Sequence, residues 1–369
     1  MCLYPRLVKN PKYKPNKKNG GNVPEVKDRR ALVVPVGCGK CIECRKQKAN
    51  QWKIRLQEDI KVNTNGKFVT LTFSEQSLME LQSNFPKLKG YALENNAATL
   101  GVRRFLERWR KKYKKSVRHW LVTELGQNNT ERIHIHGIIW TDLESEISRI
   151  WKYGHINIGT HKWNQGKLIF KGEHYCNARS VNYITKYLNK ADPLHKEYIP
   201  RTLCSPKIGA NYIGTAREKD NAFKKKGGTK THYKTSSGHN TALPIYYRNK
   251  IYNDDERETL WMEQLDKQKR YILGVEYDIS KGMEDYYKGL KEAQRKNKRL
   301  GFGDNIKNWD KQQYEEQQRQ LRIDRVRFGD IRKNTISGSA EADPITIDKK
   351  QVKELVNYLP TLNELKNIF

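Results

Sequence analysis

Three stretches of the chain show the short runs of β-branched and aromatic residues that are typical of β-strands. They are Lys67-Phe-Val-Thr-Leu-Thr-Phe73, Trp120-Leu-Val-Thr-Glu-Leu-Gly126 and Arg132-Ile-His-Ile-His-Gly-Ile-Ile-Trp140. The residues between the second and third runs, Gln-Asn-Asn-Thr at 127–130, have turn-forming composition. The second and third runs are therefore predicted to form a β-hairpin.

Other segments carry apolar residues at helical spacing. Residues 45–60 and 102–118 each show such a face, the second one with Phe105 and Trp109. The stretch between Phe73 and Val102 shows no regular pattern, and we expect it to be irregular.

The chain divides by composition into three consecutive segments. The first, 1–60, is predicted to be a basic, extended arm followed by a cysteine cluster and a helix. The last, 251–369, is densely charged and predicted to be helical, with a flexible part near 333–347. Its apolar residues are sparse, so its helices are expected to pack on the rest of the chain or on a partner. The middle segment, 61–250, carries the strands and the candidate chemistry.

The charge balance points to a polyanionic partner. Among 369 residues there are 72 Lys and Arg against 41 Asp and Glu, a formal charge of +31. Such an excess favours nucleic acid. A membrane surface is the rival, but we find no apolar run of transmembrane length, and the N-terminus lacks the apolar core of a signal peptide. The sequence therefore predicts an intracellular protein that binds DNA.

A dense run of basic residues follows the apolar face of the helix predicted over 102–118. Its members include Arg103, Arg104, Arg108, Lys111, Lys112 and Lys115. Such a run is often only a solvated helix face. Because acidic residues are almost absent from it, phosphates would offset its self-repulsion, and we predict that it faces DNA.

Two histidines lie on the third strand, two residues apart. Residues i and i+2 of a strand point to the same face, so His134 and His136 project side by side. In the predicted hairpin, Glu124 faces them across the pair of strands. Two imidazoles and one carboxylate would hold a metal ion with positions open for water or substrate. The alternative is one packed and one solvated histidine.

The segment Ser180-Val-Asn-Tyr-Ile-Thr-Lys-Tyr-Leu-Asn-Lys190 is predicted to be a helix with Ser180 as its N-cap. Tyr183 and Tyr187 are four residues apart and therefore share one helix face, and Lys186 and Lys190 repeat with the same offset beside them. Two tyrosines on a helix are ordinarily core residues. The Tyr-x-x-Lys repeat downstream of the His-x-His strand favours a functional pair.

Three of the six cysteines are clustered as Cys38-Gly-Lys-Cys41-Ile-Glu-Cys44. This spacing is typical of a structural zinc site that needs a fourth ligand, such as Cys2 or a distant Cys or His. Three reduced thiols in a basic loop are the alternative, because no second C-x-x-C completes the set.

The order of these motifs resembles that of the HUH endonuclease superfamily, which comprises rolling-circle replication initiators, relaxases and related transposases. The resemblance carries Thr-Glu-Leu-Gly…Arg-Ile-His-Ile-His-Gly-Ile-Ile-Trp, Asn-Tyr-Ile-Thr-Lys-Tyr-Leu-Asn-Lys and Cys-Gly-Lys-Cys-Ile-Glu-Cys-Arg. It is closest to the initiators of microvirus-type single-stranded DNA phages, the gokushoviruses in particular, and covers roughly residues 30–250.

This resemblance implies an α+β fold in which a central antiparallel sheet is flanked by helices, with 61–250 as the endonuclease domain. It also implies a nickase of single-stranded origin DNA in the cytoplasm of a bacterial host. Tyr183 or Tyr187 would form a 5′-phosphotyrosine and free a 3′-OH, and later rejoin the strand. Mg²⁺ or Mn²⁺ would bind Glu124, His134 and His136, with zinc possible on ligand grounds alone.

Two further roles follow from the same interpretation. Lys186 or Lys190 would hold the phosphate or assist proton movement. No G-x-x-x-x-G-K-[ST] loop is recognisable, so a host helicase and polymerase are the expected partners.

Two other functional classes fit parts of the sequence. One is a metal-dependent DNA hydrolase that uses the histidines and activated water, with both tyrosines in the core. The other is a non-enzymatic basic protein that binds single-stranded DNA through charge and aromatic residues.

Overall fold

The computed structural model of the chain describes residues 2–126, 131–159, 161–164, 167–170 and 176–337. Only the backbone is described at 161–164, 167–170 and 328–337. The turn predicted at 127–130 lies outside the described residues, as does the end of the chain from 338.

Strands and helices alternate along much of the described chain. The strands are β1 Arg6–Lys9, β2 Val33–Val36, β3 Gly66–Leu71, β4 Arg118–Leu125, β5 Ile133–Trp140, β6 Ile156–Ile158, β7 His161–Asn164, β8 Lys167–Phe170, β9 Thr202–Cys204, β10 His232–Lys234, β11 Asn240–Ala242, β12 Lys269–Ile272 and β13 Val275–Asp278. The α-helices are α1 Ile42–Asp59, α2 Glu75–Ser83, α3 Gly90–Tyr113, α4 Glu144–Ile150, α5 Ala178–Lys186, α6 Ala216–Lys219, α7 Ile245–Ile251, α8 Asp254–Asp266, α9 Glu284–Arg299 and α10 Lys311–Ser337. Short 3-10 helices lie at Pro11–Tyr13, Lys17–Asn19, Arg29–Leu32, Ala210–Tyr212 and Ile306–Asn308.

The chain forms two compact units. The sheet unit comprises described residues within 45–253 together with 298–303. The terminal unit comprises 2–44, 254–297 and 304–337. The three consecutive segments drawn from composition thus differ from the units of the structure, because both ends of the chain contribute to the same unit.

The sheet unit is built on five antiparallel strands in the order β6-β3-β5-β4-β9. This arrangement confirms the predicted α+β class with a central antiparallel sheet and flanking helices. The hairpin strands β4 and β5 pair along their whole length, from Arg118 opposite Trp140 to Leu125 opposite Ile133. Gly137 allows this close pairing, because a Cβ at that position would overlap the Trp120 carbonyl oxygen.

Alternation along the strands divides the side chains between two cores. On one face, alternate residues of β5 such as Ile133 and Ile135 pack with α2, α3 and α4. On the opposite face, Trp120, Val122 and Ile138 pack with residues of α1 and α5. His134 and His136 alternate with Ile133 and Ile135, so they belong to the face that carries α1 and α5.

The terminal unit has a core of its own. Leu3 and Tyr4, near the start of the chain, pack in one cluster with Ile272, Tyr286 and Tyr314 from the C-terminal half. The expectation of an extended N-terminal arm is therefore wrong, since β1 and β2 pair and join this unit. The expectation that the C-terminal helices have no core of their own is wrong as well, because they share this one with the N-terminal residues.

Several element boundaries also differ from the predictions. The stretch expected to be irregular after Phe73 contains α2 and the first turns of α3. The helix expected over 254–272 ends at Asp266, and β12 and β13 form a hairpin after it. The segment near 333–347, predicted to be flexible, begins within α10, and the rest of it lies outside the described residues. No helix in the described ranges has the length and apolar character needed to cross a membrane.

Candidate active site

The hairpin brings a carboxylate to the two histidines. Glu124 on β4 lies directly opposite His134 on β5. Its Oε2 is 3.0 Å from Nε2 of His136. The rings of His134 and His136 are 6.5 Å apart and nearly parallel. The three residues that the sequence singled out therefore share one face at the same end of the hairpin.

Partial burial and neighbouring charges set the protonation of this group. Burial opposes ionisation of Glu124, but hydrogen bonds from His136 and Lys190 outweigh it and hold the pKa of the carboxyl below its usual range. Lys190 Nζ lies 2.8 Å from Glu124 Oε1. Burial, followed by the proximity of His136, lowers the pKa of His134. The site thus combines an ionised carboxylate with a His134 ring that favours its neutral form.

A threonine on the neighbouring strand orients His136. Thr70 on β3 is the register partner of His136 on β5, and Thr70 Oγ1 lies 3.0 Å from His136 Nδ1. When Nε2–H donates to Glu124, Nδ1 accepts from the threonine hydroxyl. Such a contact on one ring nitrogen fixes the orientation of the ring and the role of the other nitrogen. Sequence reasoning missed Thr70, although its position in the middle of a paired strand, on the histidine face, was a usable signal.

The donor set suits a divalent cation. Two imidazole nitrogens and a carboxylate are the mixed ligands that such ions accept, and the pKa shifts of Glu124 and His134 favour the forms that bind metal. In the structure the Glu124 carboxylate contacts His136 and Lys190. The ligand atoms of the three residues do not all lie within 4.8 Å of one another, whereas those of the cysteine cluster do. The residues fit the group chemically, and Glu124 would exchange its present contacts for the metal.

Helix α5 carries the tyrosines onto the same face. Its N-cap is Asn177, whose side chain accepts from the backbone N–H groups of Arg179 and Ser180, so the prediction that Ser180 caps the helix is wrong. The helix ends at Lys186, and Tyr187 is its C-cap. Lys190 therefore lies beyond the helix, not on a helix face adjoining Lys186. This placement lets Lys190 reach Glu124.

The two tyrosines contact each other and the histidines. Tyr187 stacks on His136 with ring centroids 4.4 Å apart and planes 10° from parallel. Its hydroxyl donates to the hydroxyl of Tyr183 over 2.9 Å. Tyr187 is 8% exposed and Tyr183 is 51% exposed. Burial, followed by the hydrogen bond to Tyr183, raises the pKa of Tyr187 well above its usual range.

A cleft of about 630 Å³ opens over this group. The residues that line it are Glu124, Gly126, Tyr183, Lys186, Tyr187, Asn189 and Lys190. Lys186 and Lys190 place positive charge at the mouth of the cleft. The structure thus brings together the predicted ligands, the two tyrosines and both lysines.

A buried arginine supports the chain that follows the tyrosine helix. The guanidinium of Arg45 in α1 donates to the carbonyl oxygens of Leu188, Lys190 and Tyr198 at 2.9, 3.4 and 3.1 Å. Burial lowers the pKa of Arg45 to about 10. Arg45 ends the sequence motif of the cysteine cluster, but the sequence predicted no role for it. Its signal was its helical spacing from the apolar residues Ala49, Trp52 and Leu56 on one face of α1.

The basic residues of the predicted DNA-facing helix separate into two groups. Helix α3 packs on the sheet face opposite the histidines and ends at Tyr113, so Lys115 follows the helix. Arg104 pairs with Glu80, Lys112 pairs with Glu146, and Arg108 donates to the Ile150 carbonyl and the Tyr153 hydroxyl. Arg103, Lys111 and Lys115 are exposed. A role in DNA binding stays a prediction for this set.

The clustered cysteines lie in the terminal unit. Cys38, Cys41 and Cys44 converge with Cys2, and the four sulfur atoms all lie within 4.8 Å of one another. Cys2 is one of the residues that the sequence suggested as a fourth ligand.

Fold and site together define an antiparallel sheet that carries a two-histidine, one-carboxylate group beside a pair of tyrosines. Residues 66–192 match the model of a family described as replication-associated protein ORF2/gene 2 protein. The matched region extends from β3 to just beyond α5 and includes every residue of the group. The match is consistent with a replication initiator. No curated protein and no solved structure matches the chain significantly.

Proposed function

We propose that the protein is a replication initiator that nicks single-stranded origin DNA through a tyrosine nucleophile, and that it belongs to the HUH class of microvirus-type initiators. One observation carries the proposal. Tyr187 stacks on His136 and donates to Tyr183, so both tyrosines lie beside the Glu124–His136 pair on the wall of one cleft. The match of residues 66–192 supports a role in replication.

The residues present account for the requirements of the reaction. The oxygen of one tyrosine attacks phosphorus, the bond from phosphorus to O3′ breaks, and a 5′-phosphotyrosine and a 3′-OH result. The phenol loses a proton and the departing O3′ gains one. The covalent link retains the phosphodiester, so a strand can be rejoined without another energy source.

Glu124, His134 and His136 would hold a divalent cation. When bound, the cation would polarise the scissile phosphate and offset negative charge that develops during transfer. Lys186 at the mouth of the cleft adds positive charge for the DNA backbone. Lys190, which pairs with Glu124 in the structure, would be free to contact phosphate once that carboxylate binds the cation.

Tyr183 is the first nucleophile in this proposal. It is the exposed member of the pair, and its oxygen accepts a hydrogen bond from Tyr187. That bond stabilises negative charge on the Tyr183 oxygen, which a phenol with a pKa of about 10 needs near neutral pH. Tyr187 is buried against His136 and would act in the second transfer, after Tyr183 has been occupied.

The decisive experiment compares the ends that cleavage produces. The full chain is incubated with Mn²⁺ and labelled single-stranded oligonucleotides that tile the genetic element encoding it. A tyrosine nickase leaves a 3′-OH that a polymerase extends and a 5′ end that stays with the protein on a denaturing gel. A free 5′-phosphate without an adduct would instead support the metal-dependent hydrolase.

A variant with both His134→Ala and His136→Ala separates catalysis from binding. We expect it to lose cleavage and keep most of its affinity for DNA, because its basic surface is unchanged. Binding without cleavage by the unaltered chain, on every oligonucleotide and with either cation, would favour the non-enzymatic alternative.

A further inference from the structure

The four cysteines of the terminal unit come from two distant places in the chain. Cys2 is near the start, and Cys38, Cys41 and Cys44 lie around the first turn of α1. Cys2, Cys38 and Cys41 are buried and Cys44 is half-buried. No disulfide joins them.

The spacing of the sulfur atoms matches the corners of a tetrahedron around one metal ion. Cys2 Sγ lies 3.9 Å from Cys41 Sγ, and Cys38 Sγ lies 4.0 Å from Cys44 Sγ. Zinc–sulfur bonds of about 2.3 Å in a tetrahedral site imply sulfur–sulfur distances of about 3.8 Å. A disulfide needs about 2.05 Å. A multi-iron cluster would set the cysteine sulfurs on separate iron atoms, further apart than these.

Backbone N–H groups already point at three of the sulfurs. The amides of Tyr4 and Cys38 donate to Cys2 Sγ at 3.3 and 3.2 Å, and that of Cys41 donates to Cys38 Sγ at 3.3 Å. The amide of Leu3 donates to Cys41 Sγ at 3.5 Å. Such bonds disperse the negative charge of thiolates and orient them, as the surroundings of metal-bound cysteines do.

We propose that Cys2, Cys38, Cys41 and Cys44 bind one structural Zn²⁺. Four protein ligands close the coordination sphere, so the ion has no position for substrate and takes no part in the chemistry of the sheet unit. The proposal is independent of the nicking function, since none of the four ligands lies in the sheet unit.

The ion stabilises the terminal unit where its core is made of chain ends. The cysteines lie in one apolar cluster with Leu3, Met283, Tyr286 and Leu290. The metal ties Cys2, at the start of the chain, to the loop before α1. Because metal binding to such a site is coupled to folding, removal of the ion should loosen residues 2–44 and 269–297 together.

The test is the metal content of the purified full chain. We expect about one zinc per chain, unchanged in the variant with both His134→Ala and His136→Ala, and unchanged in Cys204→Ser, whose cysteine lies in β9. Cys2→Ser and Cys41→Ser should lose the zinc. Chelation should raise hydrogen exchange in residues 2–44 and 269–297 and leave β3, β4 and β5 protected.

Variants that fail to fold do not decide the matter, so two measurements use folded protein. Cobalt in place of zinc should give the visible absorption of a tetrahedral thiolate complex in the unaltered chain. Cys44→His should keep one metal and shift that absorption. A zinc-free chain with four alkylatable thiols, a disulfide among the four, or iron with labile sulfide would each overturn the proposal.

Discussion

Tyr183 and Tyr187 carry the same functional group in different surroundings. Tyr183 is exposed and accepts a hydrogen bond, whereas Tyr187 is buried on His136 and donates it. Sequence spacing predicted that the two share a helix face. It could not assign an order to them, because burial and the direction of a hydrogen bond depend on the rest of the fold.

The first prediction separates their roles. Tyr183→Phe should slow the first covalent cleavage by at least about tenfold, which corresponds to about 1.4 kcal/mol. Tyr187→Phe should keep more of that first cleavage but lose repeated turnover, because no second acceptor remains. Single-turnover and multiple-turnover rates on one oligonucleotide distinguish the two variants. Equal first-cleavage rates in Tyr183→Phe and the unaltered chain would reject Tyr183 as the first nucleophile.

The second prediction concerns the threonine that contacts His136. Thr70→Val removes the hydroxyl partner of Nδ1 and keeps the shape of the side chain. We expect the Mn²⁺ concentration that gives half-maximal cleavage to rise about 10- to 100-fold, the usual effect of removing a hydrogen bond that orients a metal ligand. Thr72→Val is the matched control, because the Thr72 hydroxyl donates to the His155 carbonyl instead. The same Mn²⁺ dependence in both variants would show that Thr70 does not position His136.

At the scale of elements, the strands were the most predictable part of the fold. β3, β4 and β5 are long, β-branched and bounded by turn residues, so their local pattern agrees with their tertiary role. Helix α2 and the first turns of α3 were missed, because Asn95, Thr99 and Gly101 interrupt the apolar pattern while being buried in the structure. Asn95 and Thr99 satisfy their polar atoms there with local and long-range hydrogen bonds.

The third prediction revises the DNA-facing surface of α3. The sequence favoured Arg104, Arg108 and Lys112, which have partners within the protein. Replacing the exposed residues Arg103, Lys111 and Lys115 by Glu should weaken DNA binding. It should also flatten the dependence of log K on log salt by about 0.7 for each phosphate that the protein no longer neutralises.

A matched variant distinguishes binding from folding. Arg108→Ala removes donors to the Ile150 carbonyl and the Tyr153 hydroxyl, so it should lower the unfolding midpoint with little change in the salt dependence. An unchanged slope in the triple Glu variant would show that α3 faces solvent or another protein.

At the scale of the whole molecule, local pattern could not reveal the two units. The terminal unit joins residues more than two hundred positions apart, and no periodicity within a segment records such a pairing. Arg30 illustrates the point. It is buried and pairs with Asp28 at 2.7 Å and with Asp266 at 2.6 Å.

The fourth prediction tests that pairing. Arg30→Ala leaves the buried Asp28 carboxylate without this guanidinium, and loss of one partner of a buried pair costs about 3–5 kcal/mol. Lys18→Ala is the control, because Lys18 and its partner Asp254 are largely exposed and such a pair contributes about 0–1 kcal/mol. Denaturant unfolding of both variants measures the difference. Equal midpoints would show that Arg30 does not hold the two ends of the chain together.

The candidate site was predictable in its residues and not in its arrangement. His134, His136, Glu124, Tyr183 and Tyr187 were found from strand and helix periods, because each lies within a regular element or at its end. Their present contacts depend on the crossing of α5 over the sheet. The link between Lys190 and Glu124 arises because the helix ends before Lys190.

The central claim is a covalent bond between DNA and a tyrosine of this helix. Its most direct test is proteolysis of the adduct followed by mass spectrometry of the peptide that carries the nucleotide remnant. The account predicts the remnant on Tyr183 or Tyr187, with no adduct when both are Phe. Attachment at another tyrosine, such as the exposed Tyr91, or cleavage by the double Phe variant at the rate of the unaltered chain, would contradict it.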